Sequence, residues 1–185
     1  TLDRGFNRFS TSEKKARRFV HEPGNSNSLS HDLCYFIHKG PYGKFWIGTY
    51  AGLTVFSPGT GRFERYFTEA RYTNQAKIIS VCRDSGGRLW FGSLGGGLFS
   101  VDPAGRDFHQ YSKKEGLGNN VVYGILEDND GKLWLSTNKG LFRFDRESGQ
   151  FHHYDESDGL QSNEFNLLSY HRGPGGRLYF GGING

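Results

Sequence analysis

Cysteine is almost missing from this chain, with two residues in 185, and no apolar run approaches the roughly 20 residues of a membrane-spanning helix. Cys34 and Cys82 stand at different offsets from the tryptophans that follow them, which predicts two buried free thiols in place of a disulfide and says little about compartment. No signal peptide opens the sequence, so a leader or a membrane span would belong to other parts of a longer protein. Hydrophobic content of 35% is low for one dense core. Helical periodicity is lacking too: the apolar runs are short, interrupted by glycine and rich in β-branched and aromatic residues. Only 13–19 invites a helical reading, and its charged character suits a turn entering a strand. The net charge of +4 is modest, with Lys and Arg scattered between repeats (Lys44, Arg88, Lys132 and Arg177 share one turn position) and forming no continuous stripe, which argues against nucleic-acid binding.

Glycine and aromatic residues are abundant, 28 glycines and 16% aromatics, as a turn-rich all-β protein requires. Four versions of one phrase recur: Gly43-Lys-Phe-Trp-Ile-Gly-Thr49, Gly87-Arg-Leu-Trp-Phe-Gly-Ser93, Gly131-Lys-Leu-Trp-Leu-Ser-Thr137 and Gly176-Arg-Leu-Tyr-Phe-Gly-Gly182. Their anchors, Trp46, Trp90, Trp134 and Tyr179, are separated by 44, 44 and 45 residues, a period that predicts propeller blades. An apolar run precedes each phrase (33–37, 78–82, 121–126, 165–170). A Gly-Leu pair follows it (Gly52-Leu53, Gly97-Leu98, Gly140-Leu141), and then an aromatic couple (Phe63/Tyr66, Phe108/Tyr111, Phe151/Tyr154). Each unit reads as four strands, A to D. The unbroken Leu89-Trp90-Phe91 and Leu133-Trp134-Leu135 runs predict strands covered on both faces.

The repeat phase divides the chain into strands C and D (1–27), three whole blades (28–72, 73–116, 117–160) and strands A and B (161–185), sixteen strands in all. Two arrangements compete: a ring closed at four blades, or an arc of a larger propeller whose edge strands are open to pairing.

The phrase G-x-L-W-I-G-T, the following G-L-x-x-F-D and the closing Phe-x-x-Tyr resemble the regulator-propeller repeat of Bacteroides-type hybrid two-component sensors. Asp158-Gly-Leu-Gln-Ser-Asn-Glu-Phe-Asn166 with the fourth phrase resembles the family's final propeller repeat, which precedes an immunoglobulin-like domain. The resemblance favours the arc, from a seven-bladed propeller. It implies the periplasmic sensor of a membrane-anchored parent, with a histidine kinase and often a DNA-binding region elsewhere in that parent. An oligosaccharide ligand, a homodimer of the ectodomain, no cofactor and no catalysis in this segment are further implications.

The B-to-C and D-to-A connections vary while the strands repeat, and variable loops on a rigid scaffold are where recognition concentrates. These loops supply the candidate ligand-binding residues Tyr50, Asn74, Gln75, Leu94, Asn119, Asn120, Asn138, Lys139, Asn163, Glu164 and Asn184. Amides and aromatic rings suit sugar hydroxyls and C–H faces, although asparagine is equally at home in plain turns. Asp84-Ser-Gly-Gly87 and Asp128-Asn-Asp-Gly131 read as tight hairpins; a calcium loop would want a bidentate Glu that is missing. Gly92-Ser-Leu-Gly-Gly-Gly97 leads into a strand and so reads as a turn, not a phosphate cradle. Adjacent His152 and His153 point to opposite faces of a strand and form no metal pair. An enzyme, a propeller lyase or glycosidase, would require Glu164, His171 and Tyr50 to converge. A protein-protein scaffold would require a large apolar rim patch.

Overall fold

The computed structural model describes residues 4–68 and 76–184; Asn74 and Gln75 lie outside the described residues. No α-helix occurs among these residues, and no helix is long and apolar enough to cross a membrane. Sixteen strands are joined by turns and single 3-10 turns.

Two compact units divide the chain, Thr1–Ile79 and Ser80–Gly185. The first contains the hairpin β1 (Phe6–Ser10) and β2 (Lys15–Phe19) and a sheet of β3 (Cys34–Lys39), β4 (Phe45–Thr49), β5 (Gly52–Ser57) and β6 (Arg62–Tyr66). Segment 13–19 is therefore a turn entering a strand. Phe6 and Phe19 stack at 4.8 Å and meet Phe56 and Phe63, themselves stacked at 4.6 Å, over Leu29 and Ile47. Each such side chain, taken fully out of water, contributes about 2 kcal/mol.

β7 (Ala76–Arg83) leads into the second unit and pairs in the order β10-β9-β8-β7 with β8 (Leu89–Gly95), β9 (Leu98–Val101) and β10 (Phe108–Tyr111). A further sheet runs β11 (Gly124–Glu127), β12 (Leu133–Ser136), β13 (Leu141–Asp145), β14 (Gln150–Tyr154). β15 (Phe165–Arg172) pairs with β16 (Leu178–Gly182) alone. All pairings are antiparallel between consecutive strands, the blade pattern the period predicts. β1–β2 and β15–β16 stand as separate two-stranded sheets, as the arc predicts. Trp90, Leu98, Leu117, Val122, Ile125, Leu133, Leu135, Phe142 and Phe144 form the apolar core of this unit.

The repeated residues have repeated roles. Trp46, Trp90 and Trp134 lie against the tyrosine that ends the fourth strand of their own sheet, at 6.3 Å (Tyr66), 5.9 Å (Tyr111) and 5.2 Å (Tyr154). This contact spans two strands and accounts for both ends of the motif. The second glycine of the phrase permits close approach by the next inner strand. A Cβ on Gly48 would lie 2.5 Å from the Ile78 carbonyl, and one on Gly92 2.5 Å from the Val122 carbonyl.

Three of the four turn cations are paired: Lys44 with Glu64 at 3.4 Å, Arg88 with Asp107 at 2.9 Å, Lys132 with Asp145 at 2.9 Å. Lys132 and backbone N–H groups hold the Asp145 carboxyl down at about 2.

Candidate ligand-binding loops and the buried ion cluster

At the end of each sheet where the second strand turns into the third, a buried hydroxyl closes the turn. Thr49, Ser93 and Thr137 donate to the carbonyls of Gly52 (2.9 Å), Gly97 (2.9 Å) and Gly140 (2.8 Å), and accept from the backbone N–H of Ala51, Gly96 and Lys139. The last letter of the phrase is thus a clasp for the recognition loop.

The fourth-to-first connections in the second unit are built to one plan. Ser112 with Glu115, and Asp155 with Asp158, form capping boxes, each followed by a left-handed glycine, Gly116 and Gly159, both at φ 95°. Asn120 Oδ1 then accepts from Lys113 N (2.9 Å) and Asn163 Oδ1 from Glu156 N (3.2 Å), closing each loop on itself. The Asn120 carbonyl accepts from Gly95 N and Gly97 N, and the Asn163 carbonyl from Gly140 N at 2.5 Å. Leu94 bridges to Val121, and Asn119 Nδ2 donates to Asn138 Oδ1. Ile183 N donates to the Glu164 carbonyl, bringing the loop of Asn184 beside Glu164.

Leu94, Asn119, Asn120, Asn138, Lys139, Asn163, Glu164 and Asn184 therefore share one continuous hydrogen-bonded band. Within it, Asn119 is buried, whereas Asn138, Lys139, Glu164 and Asn184 are exposed. Tyr50, in the first unit, is 42% exposed, lies 5.1 Å from the His31 ring and has Lys77 Nζ 4.4 Å over its face.

Asp84 and Asp128 are hairpin residues. The Oδ1 atoms accept from Arg88 N (2.9 Å) and Lys132 N (2.8 Å), and the Oδ2 atoms from the indoles of Trp90 and Trp134, both at 2.8 Å. His153 stacks on Phe142 at 4.5 Å and hydrogen-bonds the Lys139 carbonyl, so it is a packed residue. The register of β15 and β16 sets Glu164 beside Ile183 and His171 opposite Tyr179. Four residues of strand separate these two positions, roughly 13 Å.

One cluster escaped sequence reasoning. Arg146, after β13, pairs Nη2 with Glu127 Oε1 of its own sheet at 2.8 Å and reaches with Nη1 to Asp84 of the neighbouring sheet. Glu127 also accepts from Ser85 N (2.7 Å) and Ser85 Oγ (2.8 Å). The side chains of Asp84 and Glu127 are only 2% and 7% exposed. The signal was a charge reversal: Lys39, Arg83 and Arg172 occupy the positions equivalent to Glu127. A cavity of about 480 Å3 adjoins the cluster, lined by Asp84, Arg88, Trp90, Tyr111 and Arg146 among others. Its charged groups already satisfy one another, so the cluster ties two sheets together and offers no vacant valence to a ligand.

The cysteines are free and half-buried, less enclosed than expected. Burial, with help from Asp32, pushes the Cys34 thiol up to about 11; burial, then Glu127 and Asp84, push Cys82 up to about 12. At pH 8 the native protein should react with iodoacetamide on the order of 100-fold more slowly than the urea-unfolded chain, because the thiolate is the nucleophile. Equal rates would show that the thiols are not desolvated. Raised native values also mean that this contribution to stability is complete below about pH 9 and is lost as pH rises toward 11 and 12.

The model of the two-component regulator propeller family matches residues 73–95 and 116–139. Histidine kinase P4 of Formosa agariphila is 28% identical over 191 aligned residues, covering all of this chain and 14% of the kinase. This chain thus spans a small share of that relative's length. Among solved structures, the extracellular domain of B. thetaiotaomicron BT4673, described as a hybrid two component system, superposes with a TM-score of 0.76 at 20% identity, over 98% of this chain and 24% of that one. Virginiamycin B lyase from Staphylococcus aureus superposes with a TM-score of 0.59 at 20% identity, over 80% of this chain and 48% of the lyase. The structural likenesses establish the β-propeller fold. In the phrase, the four-stranded antiparallel blades and the two matched repeats, this chain is similar to the two-component regulator propellers.

Proposed function

We propose that the chain is part of the extracytoplasmic sensor of a hybrid two-component protein, that it binds an oligosaccharide at the second-to-third and fourth-to-first strand loops, and that binding controls a histidine kinase elsewhere in the parent. The kinase relative and the extracellular two-component neighbour support the sensor reading. What carries the ligand reading is the band of loops in the second unit, where backbone hydrogen bonds fix the loops and amide, ammonium and carboxylate groups of Asn138, Lys139 and Glu164 remain at the surface. Preformed loops spare a ligand the cost of ordering them, and paired donors and acceptors match sugar hydroxyls. A homodimer of the ectodomain would give the ligand a pair of propellers to reposition.

Calorimetry of the intact ectodomain against a panel of neutral and acidic oligosaccharides tests this reading. We expect binding by at least one glycan and a loss of about fivefold on Asn138→Ala, since a hydrogen bond contributes about 1 kcal/mol. Silence across the panel, or an unchanged affinity in the variant, would overturn it. The enzyme alternative is less well supported, because the roughly 13 Å between the Glu164 and His171 positions keeps acid and base from sharing one reacting atom.

A further inference from the structure

The geometry points to a second binding surface, for an anionic glycan bearing sulfate or carboxylate groups, on the β1–β2 hairpin and the crevice beside it. Arg4, Arg8, Lys14, Lys15, Arg17 and Arg18 face only Glu13 within residues 4–18. The segment therefore carries +5 in a chain whose total is +4, and all other residues together carry −1. The expectation of scattered cations is corrected here: Lys44, Arg88, Lys132 and Arg146 pair with acids elsewhere in the chain, whereas six cations gather in this segment with one acid among them.

Strand register concentrates them further. Arg8 is directly opposite Arg17, and Lys15 lies two residues along on the same face. Like charges in opposed positions work against the hairpin. All six cations are exposed, and among the described residues none of them forms a salt bridge. A surface that bears such repulsion is ready to be neutralised by a polyanion.

Two adjoining cavities favour a glycan over a flat lipid surface. One, of about 160 Å3, is lined by Arg17, Arg18, Asn27 and Phe63 among others, with the single carboxylate Glu22; the other, of about 360 Å3, by Ser26, Asn27, Thr60, Arg62 and Phe63. Sharing Asn27 and Phe63, they place guanidinium groups beside an amide, a hydroxyl and an aromatic ring. The guanidinium fork matches sulfate and carboxylate oxygens two at a time, and rings and amides suit the sugar itself. Arg17 also lies over the Phe19 ring at 5.1 Å, holding one cation in place without consuming its charge.

The test uses the intact protein carrying this chain, with a heparin-derived hexasaccharide, an oligogalacturonate hexamer, maltohexaose, and phosphatidylglycerol vesicles as probes. We expect at least one acidic hexamer to bind, maltohexaose not to bind here, and affinity to fall about tenfold or more between 50 and 300 mM salt. The exposed pair Arg8→Gln/Arg17→Gln should lose about tenfold in affinity with a melting temperature no lower than the parent's, while Lys39→Gln/Arg106→Gln, exposed cations outside both the hairpin and the proposed ligand loops, should bind as the parent does. Equal binding of maltohexaose, indifference to the hairpin substitutions, or preference for vesicles over both hexamers would overturn the inference. The Asn138→Ala variant separates the two readings. A glycan lost with Asn138 but not with Arg8/Arg17 reports on the loops alone, and silence of the acidic hexamers beside a neutral glycan bound at the loops removes only the hairpin surface.

Discussion

Replacing Arg146 with methionine should cost about 3–5 kcal/mol of stability, the outcome of stripping the partner from buried charges. Asp84 and Glu127 would keep their carboxylates at 2% and 7% exposure, with a single indole, a serine and backbone N–H groups left to solvate them. The test that isolates the electrostatic cause is the triple variant Asp84→Asn/Glu127→Gln/Arg146→Met. With no charge left unpaired, it should recover much of the loss in urea unfolding. A single variant within about 1 kcal/mol of the parent would mean that water reaches the carboxylates and that the cluster contributes little. The cluster joins the β7–β8 turn to the far ends of β11 and β13, so its loss should loosen the contact between two sheets before it disturbs either sheet.

The second large effect is expected at Gly97. Its φ of +82° is costly for any residue with a side chain, and a Cβ there would lie 2.3 Å from the Tyr111 carbonyl. Gly5, Gly52 and Gly140 repeat the arrangement, with the carbonyls of Phe19, Tyr66 and Tyr154 at 2.0, 2.6 and 2.2 Å. Each glycine begins a third strand at the place where the end of the fourth passes closest. Gly97→Ala should therefore cost about 3 kcal/mol or more, combining left-handed strain with a backbone collision that no rotamer relieves. Gly149→Ala supplies the comparison: its φ is +71° with nothing within 4 Å of the added carbon, so it should cost only about 1 kcal/mol. Equal losses at the two sites would remove the collision from the explanation.

These cases show which parts of the molecule a single sequence discloses. The blade was legible because its determinants are local: an indole and a tyrosine two strands apart, a hydroxyl clasping a turn and an aspartate capping a hairpin all fall within one period. Arg146 and Asp84 lie 62 residues apart and meet only because neighbouring sheets align in a particular way. Only the unusual sign of Glu127 hinted at that contact. The hairpin cations were visible individually, but their opposition depends on the register Arg8↔Arg17, which composition does not encode. The candidate loop residues fall between these extremes. Their positions at one end of the sheets followed from topology, whereas the division of labour among the asparagines did not: Asn120 and Asn163 spend their side-chain oxygens on their own loops, and Asn138 stays at the surface.

The three indole–phenol pairs have a practical corollary. Each complete sheet contains one tryptophan, and two of the three have their ring N–H tied to an aspartate at 2.8 Å. The protein thus carries a separate fluorophore in every full blade, and single-tryptophan versions would let emission wavelength and quenching register the loosening of one blade at a time.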